Sequence, residues 1–142
     1  MEDKLDITPL KNATIAFGKA LSFAHMVENK PSEERSFFEF EITRAALIHH
    51  FEFAFELCWK TMKRYIEMDI GEEADMLTRK DLFRVSAERR LIQDFDHWLR
   101  YHKARNMTSH AYSEKVANEV YQCAKDFNDD LQAFVKTMEQ RI

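Results

Sequence analysis

The sequence predicts an all-α protein, an antiparallel four-helix up-and-down bundle with one extra short helix. Two observations carry that expectation. The 142 residues hold only Gly18, Gly71, Pro9 and Pro31 as strong turn-formers, whereas a sandwich, barrel or Rossmann sheet needs a tight turn every ten residues or so. Between those breakers, apolar residues recur at three- and four-residue spacing, the period of one helix face. With 45 % apolar and 32 % charged residues the composition is that of a folded domain, which excludes disorder and low complexity. A chain this long buries roughly 68–70 % of its unfolded surface, so residues 1–142 are read as one domain.

Thr8-Pro9 opens the first helix as a cap followed by Pro at the first helical position. Its stripe is Leu10, Ala13, Phe17, Ala20, Leu21, Ala24 and Val27, and Pro31 ends it. Gly18 inside it costs about 1 kcal/mol relative to Ala, and close approach of a neighbouring helix is the expected return. From Glu33 to Ile70 no breaker occurs, and Gly71 supplies a C-terminal cap. Phe40, Leu47, Phe51, Ala54, Cys58, Met62 and Tyr65 form one stripe, while Phe38, Ile42, Phe53 and Leu57 fall largely off it. A helix apolar on two sides is buried on two sides, so a homodimer or partner contact is expected here. Gly71 to Leu77 reads as an acidic, solvated link.

Thr78 with Asp81 three residues on resembles a capping box and opens a short helix that continues to Leu91. The fourth helix runs from about Asp94 through Phe95, Trp98, Leu99 and Tyr101 to near Arg105 or Asn106. Ser113 caps the last one, whose stripe is Val116, Ala117, Val120, Tyr121, Ala124, Phe127, Leu131, Phe134, Val135 and Met138.

Several chemistries are excluded. No two glycines lie close enough for a phosphate loop or a dinucleotide fingerprint. Cys58 and Cys123 are isolated and read as buried thiols of a reducing cytoplasm. His49, His50, His97 and His102 lack metal-binding spacing, and no metal or cofactor is expected. Residues 1–6 carry three acids and one lysine, so neither a signal peptide nor a membrane span is expected. Glu52 and Glu56, four apart, can form an acidic pair beside a nucleotide site; the expected reading is that Lys60 one turn on neutralises Glu56. Trp59 and Trp98 read as core or interface anchors.

The net charge of −4 is unevenly placed: residues 79–105 hold eight Lys/Arg against four acids, leaving −8 on the rest. A basic patch on an acidic body binds phosphate locally; Arg100 and Lys103 are candidate phosphate-binding residues. The patch ends in Arg105-Asn106-Met107-Thr108-Ser109-His110-Ala111-Tyr112, where the fourth helix stops. Along a continuous helix five residues rotate by about 140°, so Arg105 and His110 would diverge, whereas across a helix end they can converge. The alternative for both is a capping and ion-pairing role, and for Tyr112 a packing role at the entry to the last helix. A second Arg-x4-His, Arg44 to His49, lies mid-helix without a Tyr two residues past the His and is read as coincidence.

R-N-M-T-S-H, extended as Arg105-x4-His110-x-Tyr112, resembles the signature of the HEPN superfamily. Together with F-E-F-A-F-E-L-C-W-K (Phe51 to Lys60) and D-F-D-H-W-L (Asp94 to Leu99), it is similar to the branch known as nucleotidyltransferase substrate-binding proteins. The bundle is likewise similar to the helical domain of kanamycin nucleotidyltransferase. The resemblance implies a cytoplasmic partner of a minimal nucleotidyltransferase encoded as a separate chain. It implies a homodimeric RNase toxin that cuts RNA without metal or other cofactor, through Arg105 and His110. Asn106 would orient the site, and Tyr112 would accept AMP from the partner, silencing the RNase. The other reading is a non-catalytic subunit that binds substrate or nucleotide and completes the nucleotidyltransferase.

Overall fold

The computed structural model describes residues 5–142; residues 1–4 of the acidic N-terminal segment lie outside it. Five helices follow one another: α1 (Thr8–Glu28), α2 (Phe37–Ile70), α3 (Arg79–Glu88), α4 (Phe95–Met107) and α5 (Glu114–Arg141). Short 3-10 turns at Ser32–Glu34, Gly71–Met76 and Thr108–His110 fill the links. Among the described residues there is no strand.

Contacts between named side chains give the helix directions. Glu28 meets Tyr121 and Lys125 while Phe17 meets Phe127, so α1 and α5 run antiparallel. Arg44 meets Glu114 while Phe51 meets Phe127, so α2 and α5 run parallel. His97 meets Asp130 while Arg100 meets Asp126, so α4 opposes α5. The four long helices therefore alternate up and down, and α3 is the extra short one, packed on α2 and α4.

One ring organises the core. Phe127 of α5 takes edge contacts from Phe17, Phe51, Phe55, Trp98 and Tyr101 at centroid distances of 5.1–6.2 Å. Those rings come from α1, α2 and α4, so the hub joins all four long helices. Each such edge contact adds about 0.5–1.5 kcal/mol beyond area burial. Every residue of the expected α5 stripe is buried except Val116, which is partly so.

The helix ends follow local chemistry, with four corrections to the expectations. In α1 the cap is Ile7 and Thr8 is already helical; the Asp6 carboxylate, not Thr8, accepts from the Thr8 backbone N–H at 2.9 Å. An added Cβ at Gly18 would meet nothing within 4 Å, so no helix approaches closely there. α2 begins at Phe37 rather than Glu33, because Ser36 Oγ accepts from the Glu39 N–H at 3.3 Å. At the other end Gly71 turns out with φ 67° and ψ −143°, a conformation reserved for glycine. Thr78 Oγ1 caps α3 by accepting from the Asp81 N–H at 3.1 Å.

That helix stops at Glu88, short of Leu91, because Arg90 adopts φ 61°. The Arg90 N–H donates to the Ala87 carbonyl and the Leu91 N–H to the Ser86 carbonyl, a Schellman ending with Arg where Gly is usual. Arg141 at the end of α5 donates to the carbonyls of Arg89 and Arg90 and holds that turn. The acidic link is a 3-10 helix with Ala74 buried, tied to α2 by Lys63–Asp75 at 3.0 Å.

α2 is 34 residues long, or about 51 Å. Its inward face is buried, but Phe38, Ile42 and Phe53 remain 71, 55 and 56 % exposed. Leu57 instead packs partly against the core.

Candidate active site at the junction of the last two helices

Thr108 ends α4. Its hydroxyl donates to the Arg105 carbonyl at 2.8 Å and accepts from Arg105 Nη1 at 3.1 Å, the local competition with backbone bonding that Ser and Thr offer at helix ends. One 3-10 turn follows, closed by the Ala111 N–H to the Thr108 carbonyl, and the Ser113 N–H then reaches the His110 carbonyl. Ser113 occupies the cap position of α5 without a side-chain cap bond. The joint is thus made from hydroxyl and backbone bonds alone, with no glycine or proline.

Arg105 sits in the last turn of α4 and points at α2. Its guanidinium lies 3.6 Å from Glu52 and 3.2 Å from Glu56, with one-third exposure for all three side chains. Its Nε, sealed from solvent, faces Glu56 without hydrogen-bond alignment. This corrects the expected Glu56–Lys60 pair. A half-sheltered guanidinium arriving from α4 suits two carboxylates one turn apart better than a solvated lysine does; Lys60 instead lies 5.7 Å over the Trp59 ring.

His110 closes the 3-10 turn and is exposed, with its ring 6.4 Å from that of Tyr112. Tyr112 is 89 % exposed. Among the described residues no hydrogen bond joins Arg105 to His110: the fold brings His110 and Tyr112 together, and Arg105 to Thr108, Glu52 and Glu56. Asn106 is exposed, its Nδ2 3.5 Å from His102 Nε2.

His102 was not singled out by its spacing. Its ring stacks on Phe55 at 6.4 Å and meets Phe83 edge-on at 6.0 Å. Burial, with the Arg79 charge nearby, holds its pKa below the usual imidazole value against the pull of Glu56. The two residues expected to bind phosphate part company. Arg100 is paired with Asp126 of α5 at 2.8 Å, whereas Lys103 is exposed. Trp98 is fully buried, and Trp59 is half-buried beneath Arg79.

Arg79 and Thr108 are the neighbours that sequence reasoning missed. The i, i+4 spacing of Glu52 and Glu56 was visible, but the cation they hold comes from another helix. Both cysteines are free and buried; burial raises the Cys58 pKa strongly and pushes Cys123 up to about 11. Among the described residues, no cluster of three His, Cys, Asp or Glu could hold a metal ion, and no helix is long and apolar enough to cross a membrane.

Comparison with known proteins joins this geometry to a family. Residues 6–140 match the family model described as nucleotidyltransferase substrate binding protein like. The chain belongs to that family. A relative from Haemophilus influenzae, named Probable ribonuclease HepT, is 34 % identical over 99 residues, 68 % of either chain. A solved Haemophilus influenzae structure, described as the fold of a substrate binding domain of a nucleotidyltransferase, superposes with a TM-score of 0.81 at 27 % identity. That match covers 95 % of this chain and 100 % of the other. A Thermus thermophilus crystal structure shares the fold with a TM-score of 0.62 at 23 % identity, over 86 % and 98 % of the two chains. The expected HEPN-type resemblance and the all-helical fold are both shown.

Proposed function

We propose that the protein is a homodimeric, metal-independent endoribonuclease toxin whose nucleotidyltransferase partner, a separate chain, silences it by AMPylation. The observation that carries this reading is the junction itself: an exposed His110 and Tyr112 stand on a glycine-free turn that starts from Arg105. Nucleophilic attack needs an accessible base, and an exposed imidazole is the side chain most often used as one. His110 takes the proton of a ribose 2′-hydroxyl. The 2′-oxygen attacks the adjacent phosphorus, the bond to the 5′-oxygen breaks, and a 2′,3′-cyclic phosphate forms. A second His110, from the other protomer, returns a proton to the leaving oxygen. Arg105 stabilises the negative charge on the non-bridging oxygens of the pentavalent transition state, and Asn106 orients the strand beside it.

A dimer is supported by the apolar outer face of α2. Phe38, Ile42 and Phe53 are more than half exposed on one side of a long helix, and an exposed apolar patch of that kind marks an interaction site. Tyr112, almost wholly exposed, is open to modification. Its hydroxyl oxygen attacks the α-phosphorus of ATP, pyrophosphate leaves, and the phenolic proton passes to solvent. The adduct is anionic and bulky two residues from His110, which repels an RNA phosphate. Two free thiols agree with a cytoplasmic setting.

One observation favours the alternative, a non-catalytic subunit that binds substrate or nucleotide and completes the nucleotidyltransferase. Glu52 and Glu56 already occupy Arg105, so a phosphate must compete with two carboxylates. Incubation with the partner nucleotidyltransferase and ATP, read by intact mass, separates the two. AMP-sized additions mapping to Tyr112 support the toxin reading. An unchanged mass with tight binding of nucleotide supports the subunit reading.

A further inference from the structure

The guanidinium of Arg79, the first residue of α3, lies 3.2 Å over the Trp59 ring. It is half-buried, and among the described residues it makes no ion pair or hydrogen bond. Its neighbours Arg84, Arg89, Arg100 and Arg105 each have a carboxylate partner. Burial pulls its pKa down, and Glu56 is the acid whose charge opposes that effect. Glu56 also contacts Arg105 directly and acts on His102. Trp59 stands one turn after Glu56 on α2, so Arg79 on the one and Arg105 on the other reach the same stretch of that helix, and Arg79 has its donors uncommitted.

We infer that Arg79, on its Trp59 platform and beside His102, forms a nucleotide subsite adjoining Arg105 that takes the phosphodiester and base of a neighbouring residue of single-stranded RNA. The inference rests on the reading that Arg105 and His110 act on RNA. A guanidinium laid on an aromatic ring is fixed in plane at little entropic cost, and its edge N–H groups remain free for phosphate oxygens. Its outer face offers a platform on which a base stacks, a mode that single-stranded RNA uses with aromatic and Arg planes alike. Arg79 also opens the basic segment that ends at Arg105, so the two sites share one favourable field.

The test uses the full-length chain carrying His110→Ala, so that RNA is bound and not cut, titrated with a short oligouridylate while tryptophan emission is read at several salt concentrations. RNA is expected to change the Trp59 emission, and Trp59→Phe, which leaves the buried Trp98, is expected to remove that change. Arg79→Gln should weaken binding on the order of tenfold and lower the slope of log K against log salt by about 0.7. Arg79→Lys should keep the slope and lose part of the affinity; it serves equally should Arg79→Gln unfold.

Unchanged affinity and slope in Arg79→Gln overturn the subsite, as does a Trp59 emission indifferent to RNA. Arg79→Gln that loses only its grip on the partner nucleotidyltransferase also overturns it, in favour of a protein contact. The RNase reading fails separately. A wild-type chain that cuts no RNA yet shows the Arg79-dependent emission change keeps the subsite and loses the nuclease. His110-dependent cutting beside unchanged Arg79→Gln binding does the reverse.

Discussion

The chain carries Arg-x4-His twice, from Arg44 to His49 within α2 and from Arg105 to His110 across the end of α4. Arg44 is buried and bonds both Glu114 oxygens and Asn118, clamping α2 to the start of α5. His49 is turned away on the same continuous helix, against the ring of His50. Arg105 is one-third exposed and its histidine stands out on a 3-10 turn. The spacing is the same and the local structure differs. A helix that continues rotates the pair apart by about 140°; a helix that stops sets His110 on a separate 3-10 turn. The placement of His110 relative to Arg105 therefore depends on the Thr108 hydroxyl that ends α4.

The largest effect should come from the junction. Arg105→Ala or His110→Ala is expected to lower RNA cleavage by at least about a hundredfold while leaving the thermal midpoint nearly in place, whereas His49→Ala should change neither quantity. Removing the hub ring, Phe127→Ala, is expected to cost about 3–5 kcal/mol in urea unfolding, because α1, α2 and α4 lose their shared partner on α5. Arg44→Ala reverses the pattern of Arg105→Ala. It should lower the thermal midpoint by about 5 °C by unclamping α5, with cleavage falling only as the fold loosens.

How much of this was readable beforehand follows from where the partners lie. The helices, the apolar stripes of α1 and α5, the Thr78 cap and the Gly71 ending depend on residues a few positions apart, and periodicity shows them. The Arg-His-Tyr cluster was visible as a motif for the same reason. The partner of Glu56 was not, because Lys60 is near in sequence while Arg105 comes from another helix. Gly18 was read as a close approach because glycine inside a helix has few other uses, yet only the packing reveals the open space above it. The stop at Glu88 was missed because an arginine takes the left-handed position where glycine normally announces the turn.

Three smaller effects sharpen the contrast between clamped and open regions. Burial pushes the Glu28 carboxyl up, but the Tyr121 hydroxyl at 2.5 Å and Lys125 outweigh it and hold Glu28 below its ordinary 4.5. The unfolded chain then takes up the proton first. This contribution is present above the ordinary value and is lost as pH falls through the lower folded one. Glu28→Gln should flatten the decline of the thermal midpoint as pH falls below the ordinary 4.5. Gly18→Ala should raise stability by about 0.4–1 kcal/mol, since nothing stands within 4 Å of the added carbon. Gly71→Ala should lower it at φ 67°.

We propose that the Arg105–His110 junction cuts RNA without a metal. The most direct test of that proposal is product-end analysis of RNA incubated with the purified chain in excess EDTA. The wild type should yield 2′,3′-cyclic phosphate ends, and His110→Ala should yield none. Cleavage that stops with EDTA, or that persists with the same ends in His110→Ala, would contradict it.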